Sequence, residues 1–483
     1  MKKRKKRTLL KILKDTVKKY KALYTYYFSK EPVSLTKEII MEYNTTRCGI
    51  HHPVLCHAPY TNIFFGYDGK IGVCCYNRTH LIGTYPETSI KAACAGKPLQ
   101  SLRKKIERVD LLSGCYGCRV QWQEKAYKTV LAKNYDHYSM GSPFPKCMEF
   151  ELSNRCNLQC VMCSEENSSF IARERLGQEE RLKPYDDKFV SELEAFIPHL
   201  QSAKFLGGEP FLISIYYKIW DKIIQLNPAC EILVQTNGTI LNDKIKNLLS
   251  SGNFALNISM DSLNKESFEK IRVNADFEST YENLLYFIDF CKKNKRYFGI
   301  TACFIQQNWK DIPQLINFCN EYQIPITFNR VWSPPKCAIW ESSYALIDEI
   351  LGYYRQQKFP ENNEIEKANL QAFTDLVFLL ENWKEQMKDL EESEEKNVDT
   401  PESELEEQIR DSILEAIKTK NISSKRRNEI MQKLDFFFQK FKGHPQYKML
   451  LLKTLELPGE ILQSQLMNNS FDRIEQQIKD IIT

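Results

Sequence analysis

Glycine is scarce in this chain, 18 residues in 483, about half its usual share of roughly 7%. A glycine-rich nucleotide cradle would stand out against that background, and there is no G-x-G-x-x-G and no G-x-x-x-x-G-K-[ST]. Histidine is scarcer at 7 residues, and without an H-E-x-x-H the common zinc-protease signature is missing too. No apolar run approaches the roughly 18 residues of a membrane span. The opening MKKRKKRTLLKILKDTVKKYKALYTYYF is interrupted by Lys11, Lys14, Asp15, Lys18, Lys19 and Lys21, so it contains no apolar signal-peptide core. With 42% apolar and 27% charged residues, the chain can still build a globular core.

Cysteine, by contrast, is abundant at 16 residues. Secreted disulfide scaffolds are short and begin with a signal peptide, so the expected compartment is reducing and cytoplasmic. Clustered thiols there bind metal or do chemistry. Charge is unevenly spread. Residues 2–21 carry eleven Lys or Arg and one Asp, a net of +10 within a total of +5, which leaves −5 for the remainder. Leu9, Leu13, Val17, Tyr20 and Tyr24 recur at close to the helical period. This predicts a basic amphipathic arm, residues 1–45, suited to an anionic membrane surface, nucleic acid or an acidic partner, or docked by its apolar face on its own domain.

Three further segments follow. Residues 46–144 form a cysteine-rich α+β region with short strands at Thr61–Phe65 and Ile71–Val73 around the turn Tyr67-Asp68-Gly69. Residues 145–345 alternate strands (148–152, 203–206, 231–236, 254–260, 298–305 and 325–332) with helical stretches. That alternation predicts an α/β fold with a parallel sheet, an open or partial barrel of six β/α units. Residues 346–483 read as a charged helical region, with twelve acids and four bases between Glu381 and Arg410 predicting a solvated helix end and a linker. No cysteine lies beyond Cys337.

Directly after the first strand of the alternating region stands Cys156-Asn-Leu-Gln-Cys160-Val-Met-Cys163. Thiols this close on a loop can face one point, as iron–sulfur clusters require, whereas a structural zinc site wants a fourth ligand. The second strand ends in Gly207-Gly208-Glu209-Pro210, the third in Thr236-Asn237-Gly238 and the fourth in Ser259-Met260-Asp261. Gln306, Gln307 and Asn308 follow the fifth, and Arg330 ends the sixth. Polar residues recurring where parallel strands run out mark a site at the carboxyl edge of the sheet. The glycine pair lets a ligand approach the backbone, and the carboxylate can accept from an ammonium group.

C-x3-C-x2-C after strand one, Gly-Gly-Glu-Pro after strand two and Ser-x-Asp after strand four together resemble the radical S-adenosylmethionine (radical SAM) superfamily over about residues 145–340. The resemblance implies a partial (β/α)6 barrel in which Cys156, Cys160 and Cys163 hold a four-iron four-sulfur cluster. Its open iron would chelate S-adenosylmethionine, and reductive cleavage would yield a 5′-deoxyadenosyl radical that abstracts hydrogen from substrate. By the same resemblance Gly207, Gly208 and Glu209 meet the methionine amine, and Ser259 and Asp261 lie near the ribose and carboxylate. Asn237 and Asn308 join them as cofactor-binding candidates.

A second constellation precedes the barrel: Cys56, then Gly69 and Cys74 in a C-x12-G-x4-C pattern, then Cys115-Tyr-Gly-Cys118. As bare chemistry the four thiols suit zinc or a cluster. The pattern resembles the opening of SPASM and twitch auxiliary-cluster domains, which implies a second four-iron four-sulfur cluster on Cys56, Cys74, Cys115 and Cys118. The departures are its position before the barrel and the missing second-cluster cysteines, which favour a single, twitch-like site. Cys75 adjoins Cys74, and neighbours in a strand face opposite ways, so either is the ligand. Cys230, Cys291, Cys303 and Cys319 read as buried small hydrophobes. Cys337, in a proline-rich loop after strand six, is the candidate catalytic thiol, able to donate a hydrogen atom to a substrate radical.

The resulting expectation is a radical SAM enzyme acting on a peptide, protein or natural-product intermediate, with the auxiliary cluster transferring electrons or binding substrate. Flavodoxin or ferredoxin would supply the reducing electron. The alternatives are a nucleic-acid modifying enzyme using the basic arm as its phosphate contact, or a non-catalytic iron–sulfur or zinc module.

Overall fold

The computed structural model describes residues 35–47, 52–111, 113–123, 125–177, 184–331, 334, 336–397, 401–419, 422–444 and 447–455, with 462, 463, 466, 467 and 471. The basic arm predicted for residues 1–45 lies almost wholly outside them. Two compact units divide the described residues, one running to Leu380 and the other from Glu381 onward. The sequence boundary at 144/145 falls inside the first.

That first unit is organised by one nine-stranded sheet in the order β3-β2-β1-β4-β5-β6-β7-β8-β9. The strands are β1 (Asn62–Phe65), β2 (Lys70–Gly72), β3 (Gly83–Thr84), β4 (Cys147–Phe150), β5 (Ser202–Phe205), β6 (Glu231–Thr236), β7 (Phe254–Ser259), β8 (Phe298–Phe304) and β9 (Ile326–Arg330). From β4 to β9 every neighbouring pair is parallel, with β4 and β9 at opposite ends of that run. This six-strand run is the open, partial barrel expected from the alternating pattern. The cysteine-rich segment joins the same sheet: β1 runs parallel to β4, in register from Asn62↔Cys147 to Phe65↔Phe150. β2 and β3 then fold back antiparallel. Gly69 makes that return possible at φ +83°, where a side chain would meet the Tyr85 carbonyl.

Side-chain alternation gives the sheet two faces. Phe65, Phe150, Phe205, Val234, Leu256 and Ile300 share the apolar one and are buried. Helices such as Ser214–Leu226 cover it, with Trp220 edge-on to Phe205 and Phe254 at 5.4 and 5.8 Å between centroids. Such aromatic pairs contribute about 0.5–1.5 kcal/mol each beyond area burial. The opposite face carries a polar row: Asn62, Glu149, Lys204, Gln235, Asn257, Thr301 and Thr327. Its members bridge strand to strand, Asn62 Nδ2 to Glu149 at 3.0 Å, Thr301 Oγ1 to Asn257 at 3.1 Å and Thr301 to Thr327 at 3.0 Å. A polar inner wall is what a lumen that takes a polar ligand needs.

The second unit is helical, as its periodicity predicts. Leu405, Ile409 and Ile413 recur every four residues on helix Glu402–Thr419 and bury against Leu434, Phe437, Phe438 and Phe441 of helix Ser424–Phe441. The acidic stretch lies on the helices Glu364–Asn397 and Glu402–Thr419, on either side of Pro401. No described helix is long and apolar enough to cross a membrane.

Candidate functional site

All fifteen described cysteines are free thiols, and seven gather at two places. The first is the loop leaving β4. Cys156, Cys160 and Cys163 sit on it, and backbone bonds to a distant segment pin it: Gln159 N–H donates to Val273 O at 3.0 Å and Val161 N–H to Ile271 O at 2.9 Å. Ser168 Oγ ties its underside by donating to Leu158 O at 2.8 Å. From the other side, Gly208 N–H donates to Ser153 O at 3.0 Å and Glu209 N–H to Arg155 O at 2.7 Å.

This contact shows what the glycine pair is for. Gly207 is held at φ +113°, and a Cβ on Gly208 would run into the Arg155 carbonyl. The sequence reading gave the pair to an approaching ligand; in the structure, the cluster-loop backbone itself takes that space. Gly208→Ala should therefore displace the Ser153–Cys156 segment. We expect at least a tenfold loss in iron retention on this loop, by analogy with changes behind a metal ligand, which cost about 10–100-fold, while far-ultraviolet circular dichroism stays unchanged. Iron content after desalting checks it.

Two of the three thiols act on each other. The Cys163 hydrogen bond lowers Cys160 to about 7, helped by the guanidinium of Arg272, while Cys163 is pushed up. Arg272 Nη1 lies 4.0 Å from Cys160 Sγ. Burial pushes Cys156 up to about 11. Arg272 is itself anchored, its Nε 2.8 Å from Asp261 Oδ2, with both groups buried. Asp261 Oδ1 accepts from Cys303 N–H at 2.6 Å, and Asn308 Nδ2 donates to the carbonyls of Asp261 and Cys303 at 2.8 and 2.9 Å. Asp261 and Asn308 thus stand in the wall behind the thiols, their polar atoms engaged by protein.

Glu209 is fully buried. Its carboxylate accepts from Thr236 Oγ1 at 2.8 Å, Asn237 N–H at 2.8 Å and Phe211 N–H at 3.2 Å. Burial outweighs those donors and pushes it up to about 7. Asn237 Nδ2 donates to Asn157 of the cluster loop at 2.9 Å, and Ser259 Oγ accepts from Gln235 at 2.9 Å. The ends of β5 and β6 are thereby linked to the thiol loop, and the end of β7 to β6. Cys337 is buried beneath the loop, its thiol donating to Val161 O at 3.4 Å among Ile271, Ile305 and Met162. Sequence reasoning missed Arg272, which no local motif marks, and read Cys303 only as core. Its backbone holds Asp261, and its thiol bears electrostatically on Cys160 and Cys163.

The second gathering is Cys56, Cys74, Cys115 and Cys118, which line one cavity with Trp122 and Tyr135. Burial, then mutual repulsion among the thiols, pushes Cys56 to about 12 and Cys74 and Cys118 well above their ordinary value; Cys115 rises to about 11. Of the adjacent pair, Cys74 lines this cavity. Cys75 is outside this cavity: its N–H donates to Glu149 at 3.0 Å, and its thiol is pushed up by burial, then by Glu149 and Cys74. Glu149 also accepts from Tyr135 at 2.9 Å and sits 3.6 Å from Lys204. Among the described residues, the side-chain groups tight enough for a single ion, with ligand atoms within 4.8 Å, are His52–His57–Asp136 and Glu269–Asp276–Glu278. The four thiols are not among these groups.

A family model for the radical SAM superfamily matches residues 150–319. The GTP 3′,8-cyclase of Clostridium perfringens (strain 13 / Type A) is 28% identical over 184 residues, 38% of this chain and 54% of that protein. A probable GTP 3′,8-cyclase of Methanocaldococcus jannaschii is 26% identical over 233 residues, 46% of this chain and 67% of that protein. The chain thus spans about half the length of the first relative and two thirds of the second. Among solved structures, native anSMEcpe with bound AdoMet resembles it at 18% identity and a TM-score of 0.32, covering 43% of this chain and 59% of that one. Streptococcus suis SuiB bound to S-adenosylmethionine does so at 18% and 0.32, covering 55% and 59%. The cysteine loop, the strand-end residues and the six parallel strands all fall in or beside the matched segment, so residues 150–319 carry a radical SAM superfamily domain.

Proposed function

We propose that the protein modifies a peptide, protein or natural-product intermediate by radical chemistry, with an auxiliary iron–sulfur site at Cys56, Cys74, Cys115 and Cys118. The observation that carries this reading is the convergence of those four half-buried thiols on one cavity beside the lumen wall of the barrel. The three loop thiols fit a cluster by donor chemistry: all are sulfur, and Arg272 favours a thiolate on Cys160. When bound there, a four-iron cluster and S-adenosylmethionine supply the reductive cleavage that yields a 5′-deoxyadenosyl radical. The chain's own residues do the holding. Gly207, Gly208 and Glu209 set the loop against β5 and β6, and Asn157, Asn237 and Ser259 would offer polar groups to a bound S-adenosylmethionine. Asp261 and Asn308 keep Arg272 and the wall of β8 in place.

The polar row through Glu149, Lys204, Gln235, Asn257 and Thr301 would hold a polar substrate in the lumen, with Tyr135 and Glu149 between it and the four thiols. A second reading rests on the relatives named GTP 3′,8-cyclase: a nucleoside triphosphate in place of a peptide. A flavodoxin- or ferredoxin-type reductant, and a membrane or nucleic-acid contact through the basic arm, belong to the same proposal.

Anaerobic reconstitution should load about eight irons per chain, two clusters of about four. Replacing Cys56, Cys74, Cys115 and Cys118 together by alanine should remove about half while leaving substrate-free 5′-deoxyadenosine formation in place. If the wild-type chain loads only half that iron, the four thiols hold no cluster. Consumption of GTP under turnover would decide for the nucleotide reading.

A further inference from the structure

Around the four-thiol cavity, one side chain reaches two of the thiols and two buried donors have no hydrogen-bond partner. Asn77 is buried to 2% exposure and reaches two thiols from one position: its backbone N–H donates to Cys74 Sγ at 3.4 Å and its Nδ2 to Cys115 Sγ at 3.6 Å. The same Nδ2 donates to Ser113 O at 2.9 Å, and Oδ1 accepts from His80 N–H at 3.0 Å. The side chain therefore cannot turn away. Gly114, at φ +83°, leaves room for it, because a Cβ there would strike Asn77 Oδ1.

Two further donors face no protein acceptor. Tyr43 is fully buried, Arg47, Asp136, Cys56 and Cys118 all act electrostatically on its phenol, and its hydroxyl has no hydrogen-bond partner. Trp122, 1% exposed, lines the cavity itself, and its Nε1 also has none. The two rings meet edge-on at 5.2 Å. Leaving a buried donor unsatisfied costs about 1–3 kcal/mol, and native proteins seldom do so. Trp122 lines the cavity and Tyr43 packs edge-on behind it; two unsatisfied donors there point to an acceptor in the cavity, and the acceptors a thiolate-held cluster offers are its sulfurs.

We propose that Asn77, Tyr43 and Trp122 form a hydrogen-bonding shell that raises the reduction potential of a cluster held by Cys56, Cys74, Cys115 and Cys118. The inference rests on the auxiliary-cluster reading above and goes beyond it by assigning what surrounds the site. N–H and O–H donors to sulfur draw off electron density and favour the reduced form, and such second-sphere bonds are among the levers that set cluster potentials. A site so furnished accepts an electron more readily than the same four thiols without their donors. All three residues are positioning groups that act through the sulfurs.

The test uses the full chain with Cys156, Cys160 and Cys163 replaced by alanine, so that only the four-thiol site loads. Iron and sulfide are reconstituted anaerobically, iron is counted, and a redox titration is followed by visible absorbance and electron paramagnetic resonance. Tyr43→Phe removes one oxygen and Trp122→Phe one N–H; Asn77→Asp replaces the donor to Cys115 with an anionic oxygen. Each variant should keep about four irons and titrate at a more negative potential. At the parent's midpoint, the reduced-to-oxidised ratio should fall at least threefold for each Phe variant and further for Asn77→Asp; about 59 mV corresponds to tenfold for one electron. Unchanged midpoints at full iron overturn the proposal. So does loss of iron in both Phe variants, which would make the shell purely structural. If the parent binds no iron, the auxiliary-cluster reading has failed and the proposal falls with it, at the iron count rather than at the potential.

Discussion

Replacing Cys156, Cys160 and Cys163 together with alanine should cut iron from about eight to about four per chain and reduce 5′-deoxyadenosine formation to background. The expected loss exceeds a hundredfold, because changes that only reorient a ligand already cost about 10–100-fold, and here the ligands themselves are gone. The loop is held by Gln159 and Val161 backbone bonds to Val273 and Ile271 and by Gly208 and Glu209 bonds to Ser153 and Arg155. None of these uses a sulfur, so the variant should fold. Anaerobic product analysis with S-adenosylmethionine and a chemical reductant, beside an iron assay, checks both halves. Persistent 5′-deoxyadenosine would remove the loop from the chemistry. Cys337→Ala supplies the matched control. Its thiol lies beneath the loop, donating to Val161 O, and if it serves as a hydrogen-atom donor, cleavage should continue while the substrate product changes.

Much of this was legible in the sequence because the relevant signals are local. The strands expected at 231–236 and 254–260 are observed at Glu231–Thr236 and Phe254–Ser259, since a buried parallel strand is a β-rich run that needs no partner to be recognised. The C-x3-C-x2-C loop and the Gly-Gly-Glu turn are likewise short enough to read directly. What stayed hidden is non-local. Arg272 lies 112 positions from Cys160 on a helix end that resembles any other, and only folding brings the two together. The pairing of β1 with β4 joins residues 85 positions apart, across the β2–β3 return and the helices Ile90–Ala95, Lys97–Glu107 and Tyr116–Gln123, and no local signal names that partner. Cys74 and Cys75 could not be separated by alternation alone, because that rule says they diverge without saying which one faces the other thiols. The Gly207-Gly208 pair was read as ligand space because close backbone approach leaves the same mark whichever partner approaches.

Arg272→Met should be the most destabilising single change at the site. The guanidinium and the Asp261 carboxylate are both buried, 2.8 Å apart, and removing one member of such a pair typically costs about 3–5 kcal/mol because the remaining charge stays buried without a partner. A second loss is electrostatic: Arg272 helps hold Cys160 at about 7, so without it the thiol form gains and the loop binds iron less readily. The two effects separate in Arg272→Met combined with Asp261→Asn. Neutralising the carboxylate removes the stranded charge, so stability in urea should recover to within about 1–2 kcal/mol of wild type, as when a whole buried pair is replaced by neutral groups. Iron loading should not recover, because the cation beside Cys160 is still missing. Arg272→Lys should fall between, since a single ammonium cannot face Asp261 and Cys160 together as the planar guanidinium does. If the double variant regained full iron at the wild-type rate, Arg272 would matter only as the partner of Asp261, and the thiolate on Cys160 would owe nothing to it.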